Sequence, residues 1–367
     1  MFKSIKDFLL NYRGIKIDIK ILLFLVDDYG TIRVASSESL DELQKLNPKV
    51  AQNRFNKFDD IAMSQDLTAL FETLNSVGDK NGNPAVFTPM TVVANPNFQA
   101  IREVEFTEYH YESFFETLQK KPDGENTIEL WREGISKGIF VPEFHGREHL
   151  NVRFWLNYLK KGDQMVKKAF DFNSIGVEPN NNEGKGYMAA FDFYEHNHLE
   201  ELNQIVGDGL NLFEKLFGYR SIFFTPSALI HNDAMHQNLK DNGINYIDMA
   251  RSREEPRLNG TSRKRFHYMG QKNNYGQTYI TRNVMFEPNK DERDWVKSAL
   301  NEIEVAFKYN KPAIVSSHRV NFVGGKSEQN REKGLNDLKN LLNQVVQRWP
   351  DIEFMSLRTF TQNINLK

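Results

Sequence analysis

Seven short apolar runs constrain what this chain can fold into more than any other feature: 21–26, 85–94, 138–144, 221–224, 244–248, 313–317 and 352–356. Each is bounded by polar or turn residues, and stretches with helical spacing separate them. That alternation predicts parallel strands in an α/β protein. Helices are predicted over 40–46, where Ser39 and Glu42 have capping-box spacing, over 199–217, over 291–307, and over 336–349 ahead of Pro350. About seven strand–helix repeats favour one barrel domain over 1–367 rather than two separate domains. Two stretches read as insertions, near 98–137 (rich in Glu and aromatics) and near 250–280, which carries Arg251, Arg253, Arg257, Arg263, Lys264 and Arg265.

Composition narrows the chemistry. The chain has no Cys, so thiolate metal sites, iron–sulfur clusters and cysteine nucleophiles are excluded, and any metal must be held by His, Asp and Glu. Lys and Arg number 47 against 49 Asp and Glu, a net charge of −2, so no global field draws the protein to nucleic acid. Charges interrupt the N-terminal apolar patches, and the run 21–26 is far short of the ~20 residues that span a bilayer. The expected compartment is therefore the cytoplasm, with no membrane insertion. The sequence carries no signal for an oligomeric state.

In parallel α/β architectures the reactive groups stand at the carboxyl ends of the strands. Here those ends carry Asp27-Asp28-Tyr29-Gly30, Asn95-Pro96-Asn97, His145-Gly146-Arg147-Glu148-His149, Thr225-Pro226 and His318-Arg319-Val320-Asn321. Two adjacent carboxylates at a buried strand end repel each other unless a cation is present, although such a pair also fits a helix cap. Two imidazoles and one carboxylate make up a three-ligand zinc set with a position left for water. His145 and His149 are four residues apart and can reach one ion. His110, His196, His198, His231, His236 and His267 read as structural or solvated, with His231 kept as a candidate substrate contact.

These motifs resemble the NodB-like polysaccharide deacetylases, and more narrowly a bacterial cytoplasmic-type subgroup. Leu25-Val26-Asp27-Asp28 corresponds to the family's first motif and His145-x-x-x-His149 to the second. Phe224-Thr225-Pro226 corresponds to the third, and Val315-Ser316-Ser317-His318 to the last. The resemblance implies a distorted (β/α)7 barrel of the glycoside hydrolase/deacetylase type with insertions. It also implies a divalent metal, most often Zn2+, and hydrolysis of acetyl groups on a poly- or oligosaccharide by metal-activated water. Asp28, His145 and His149 would bind the metal, Asp27 would be the general base and His318 the general acid. Tyr29, Asn95, Arg147, Pro226 and Arg319, beside these motifs, are the expected substrate contacts. The family's Arg ahead of the Pro has no counterpart in Phe224-Thr225-Pro226, which leaves Arg147 or Arg319 to hold the base and Asp248 to tune His318.

Three other readings fit some of the same residues. His145-x-x-Glu148-His149 matches an inverted zinc-peptidase pattern, which needs a helix across the motif. Asp27 or Asp28 with Glu143 is a glycosidase-like carboxylate pair. A barrel that binds glycans without turnover is the third.

Overall fold

The structure, a computed structural model, describes residues 8–180 and 186–363. In chain order its strands are β1 (Ile21–Tyr29), β2 (Phe87–Val92), β3 (Ala94–Pro96), β4 (Tyr111–Ser113), β5 (Glu143–Gly146), β6 (Phe223–Phe224), β7 (Tyr246–Asp248), β8 (Ser252–Pro256), β9 (Ser262–Phe266), β10 (Thr278–Ile280), β11 (Val284–Met285), β12 (Ala313–His318) and β13 (Glu353–Phe354). Eight run parallel in the order β10-β7-β6-β5-β2-β1-β12-β11, and β13 pairs with the base of β1. Thr281, Arg282 and Asn283 alone separate β10 from β11. One extended segment thus hydrogen-bonds β7 first and β12 next, and the curled sheet comes back on itself as a (β/α) barrel.

Each of the seven apolar runs overlaps a strand, the run 138–144 only at the start of β5. β10 and β11 escape the sequence reading because each is too short to show a pattern, and β10 falls inside the stretch read as the 250–280 insertion. The rest of that stretch is the antiparallel hairpin β8–β9 and a loop. Residues 98–137 form β4 and helices Phe98–Glu103, Phe114–Gln119 and Gly124–Ser136. The helix at 40–46 begins at Ser37 and is capped by Ser36, not Ser39. The last long helix spans Glu328–Arg348, starting well ahead of the predicted 336 because its first turns are polar.

Alternation along β1 sets the layers. Ile21, Leu23 and Leu25 join Met90, Phe223, Ile280 and Ile314 inside the barrel, closed below by Leu357 and Phe360. Leu22, Phe24 and Val26 face the helices instead. The next inward position is Asp27. At Asp28 the backbone turns left-handed (φ +74°) and the β1–β2 register shifts between Val26 and Tyr29. That bulge frees Asp28 from strict alternation, so adjacent carboxylates reach neighbouring partners. A second irregularity interrupts β2–β5 pairing beside His145, where Gly146 has φ +133° and an added Cβ would lie 3.1 Å from the Glu148 carbonyl.

The hairpin is tied to the barrel wall by buried Arg253, which donates to the His231 carbonyl, to His267 Nε2 (3.1 Å) and to Asp233. His236 and His267 have pKa values pushed down to about 4, first by burial, with the Arg253 charge adding to it. Their folded pKa values lie below the unfolded value of about 6.5, so the unfolded chain takes up protons first as the pH falls. Stability present above pH 6.5 is lost progressively towards pH 4. Between pH 7 and pH 5 we expect a loss on the order of 1 kcal/mol per histidine in urea unfolding. His236→Gln with His267→Gln should flatten that dependence, and an unchanged slope would contradict it.

Candidate active site

β1, β5 and the loop after β5 bring Asp28, His145 and His149 together, with one ligand atom from each within 4.8 Å of the others. His149 Nε2 is 3.2 Å and His145 Nε2 3.6 Å from the same Asp28 oxygen. His145 Nδ1 lies 2.8 Å from the Thr225 carbonyl, which can only accept. The proton therefore sits on Nδ1, and Nε2 turns a lone pair toward Asp28, buried and without a hydrogen-bond partner. Burial and the Arg33 charge hold His149 below its usual pKa, so it stays neutral as a metal ligand must. Burial alone would raise the pKa of Asp28, but the Arg33 guanidinium at 3.1 Å is the largest opposing influence and the carboxyl is held well below the usual value. Two imidazoles converging on one ionised, buried carboxylate fit a divalent cation.

Asp27 stands beside this set. Arg282 grips both its oxygens at 2.7 Å and also donates to Asp248 (Nε, 2.9 Å) and Ser316 (3.2 Å). Burial pushes the Asp27 carboxyl up, yet the charge and forked hydrogen bonds of Arg282 outweigh it and hold the pKa below the usual value. Asp248 is more deeply buried; there desolvation wins and the pKa is raised. Of the two carboxylates sharing one guanidinium, Asp27 is held below and Asp248 above the usual carboxylate value.

His318 Nε2 is 3.9 Å from Asp27, and its Nδ1 pairs with Glu287. Burial would lower the His318 pKa, but Glu287 outweighs it and raises it, so the imidazolium is favoured. Glu287 is kept ionised by His318, Arg54 and Asn321 despite its burial. The half-buried Phe55 ring stands 5.3 Å from the His318 ring.

Several expectations are corrected. Neither Arg147 nor Arg319 holds the base. Arg319 is fully buried, forked onto Asp59 and bonded to the Thr31 carbonyl, so it is closed to substrate. Arg147 pairs with Glu148 and Asp208 and lies 4.4 Å over the Tyr111 ring. Tyr29 packs edge-on against Trp131 and Phe140 in the outer core, because the bulge has already turned the strand. Asn95 is a loop buckle, accepting from Ile32 N and donating to the Gly30 carbonyl, and Pro226 is buried. Asp248 serves Arg282 rather than His318. His145 lies within β5 and His149 in a loop, so no helix carries the peptidase pattern, and Glu148 is spent on Arg147. Glu143 is held by Ser221 and Arg358, below the rim, which removes the glycosidase pair.

Arg282, Glu287 and Arg33 were the residues missed. The first two follow strands β10 and β11 just as Asp27 ends β1, so the strand-end rule would have found them had those strands been visible.

No family model matches the chain, and no curated protein sequence matches it. Among solved structures, one described as a polysaccharide deacetylase from Mycobacterium smegmatis aligns with 96% of this chain and 92% of its own, at 9% identity and TM-score 0.44. Another, described as a polysaccharide deacetylase from Pseudomonas aeruginosa PAO1, aligns over 94% and 91%, at 9% identity and TM-score 0.46. Puue allantoinase aligns over 96% and 95%, at 9% identity and TM-score 0.47. Likeness at this level leaves the function to be argued from the chain's own residues. No helix among the described residues is long and apolar enough to cross a membrane.

Proposed function

We propose that this protein is a metal-dependent carbohydrate deacetylase of the NodB-like type, hydrolysing acetyl groups on a poly- or oligosaccharide. One observation carries the reading: at one barrel rim, the Asp28–His145–His149 set is flanked by a clamped, ionised Asp27 and by a His318 whose proton Glu287 stabilises. When bound, a divalent cation there lowers the pKa of a water toward about 7 and polarises the carbonyl under attack. Asp27 accepts the proton that water loses as it adds to the acetyl carbon. His318 gives its proton to the departing sugar nitrogen or oxygen as the bond to the acetyl carbon breaks, so acetate and a free amine or hydroxyl result. Arg282 keeps Asp27 unprotonated and oriented, and Glu287 does the same service for the protonated His318. The same proposal takes zinc as the metal and the cytoplasm as the compartment.

The test is acetate release from acetylated oligosaccharides by protein loaded with one equivalent of zinc. Release that stops on chelation and returns with zinc is the expected result. Stoichiometric zinc without release from any N- or O-acetylated substrate would favour a barrel that binds glycans without turnover.

A further inference from the structure

Away from the metal centre, on the outer face of β10, the hairpin β8–β9 and the loop before β10 enclose a cavity of about 690 Å³, within the size range of small-ligand sites. Lys264, Arg265, Lys272, Phe266, Tyr275 and Asp233 are among its lining residues. Asp233 is its one carboxylate among the described residues, and it is already shared by Arg253 and Arg265. Lys264 and Lys272 make no ion pair with any described carboxylate. Lys264 is opposed across the hairpin by Glu254 and lies 5.7 Å over the Phe266 ring, so Lys272 is the cation that brings net positive charge to the cavity.

The floor is rigid. Arg253 ties His231, His267 and Asp233 together, and His231 and His236 face each other with Nε2 atoms 3.0 Å apart. His231, Asp233 and His236 also place three ligand-type atoms within 4.8 Å. A metal cation there would meet the two guanidiniums that hold Asp233, so the local charge favours an anion instead. The rim adds two apolar faces: Phe266 is 62% exposed and Tyr275 40%. Exposed rings beside two lysines and the amides of Gln271, Asn273 and Asn274 suit a sugar ring bearing a negative group.

We propose that this cavity is a second binding site, specific for an anionic saccharide, with Lys264 and Lys272 meeting its charge and Phe266 and Tyr275 flanking its ring. The site is independent of the metal centre and of the deacetylase reading. Its test is accordingly made on the full chain with a chelator present, and the residues whose signals shift tell this cavity from the metal centre. Binding is followed by protein-observed NMR and calorimetry with glucuronic acid, glucose and inorganic phosphate. Glucuronic acid should bind at least about tenfold more tightly than glucose or phosphate, with shifts confined to the hairpin and the 271–275 loop. Lys264→Ala with Lys272→Ala should weaken it about tenfold or more, and Phe266→Ala should weaken it while leaving phosphate unaffected. These side chains lie at the surface, and an unchanged melting temperature will confirm that the variants fold. Glucuronic acid binding no better than glucose or phosphate, or unaffected by the double lysine variant, would overturn the proposal.

Discussion

Replacing Arg282 with Ala is expected to cost about 3–5 kcal/mol of stability, the penalty for leaving buried charge uncompensated. Asp27 and Asp248 are both buried, and Arg282 is the cation they share. Without it two carboxylates face each other in the barrel, and at least one must take up a proton. Turnover should fall about 10²–10³-fold, because a base that is protonated and no longer gripped on both oxygens does little general-base work. Lys at this position keeps the charge and loses the fork, so Arg282→Lys should recover more stability than activity. The partner substitution separates the two effects. In the Arg282→Ala background, Asp248→Asn removes one of the opposed charges and should return part of the lost stability, with little of the lost kcat. Denaturant midpoints and kcat on one acetylated substrate read both quantities. If the double variant is no more stable than Arg282→Ala alone, the guanidinium is not acting as a shared counter-charge.

The clamp also explains why the sequence was informative about some of the site and silent about the rest. Asp27 and Asp28 stand among the last three residues of a nine-residue strand buried along its whole length, and His145 and His318 stand at or next to the ends of strands whose apolar runs are equally plain. Groups of that kind can be read from a strand-end rule. Arg282 and Asp27 are 255 residues apart, and Arg282 sits in the three-residue link where one strand lets go of β7 and takes up β12. No local pattern marks such a crossing. The same limit misplaced Arg319: a charged residue next to His318 looks like part of a rim, yet the chain turns there and Arg319 runs inward to Asp59, 260 residues away. Tyr29 failed for a related reason, since the bulge at Asp28 is invisible to a two-residue period.

That bulge has a functional consequence that adjacent substitutions can expose. Asp28→Asn removes the charged member of the ligand set, so zinc affinity should fall by at least about 10²-fold, beyond what loss of a supporting residue costs. Whatever acetate release survives should climb again as zinc is added, because the base and the acid remain in place. Asp27→Asn should behave in the opposite way. Its oxygens face Arg282 and His318, and Asp28 carries the contacts to both ligand imidazoles. Zinc should therefore remain stoichiometric and tightly held, while kcat drops about 10²–10⁴-fold with no rescue by added metal. Asparagine can still accept one hydrogen bond from Arg282, so part of the fold's stability survives and the loss is chemical. Equilibrium dialysis with zinc, run beside acetate release at low and high zinc, distinguishes the two patterns. Equal loss of zinc in both variants would mean that the two carboxylates share the metal, and that Asp27 is not free to take a proton.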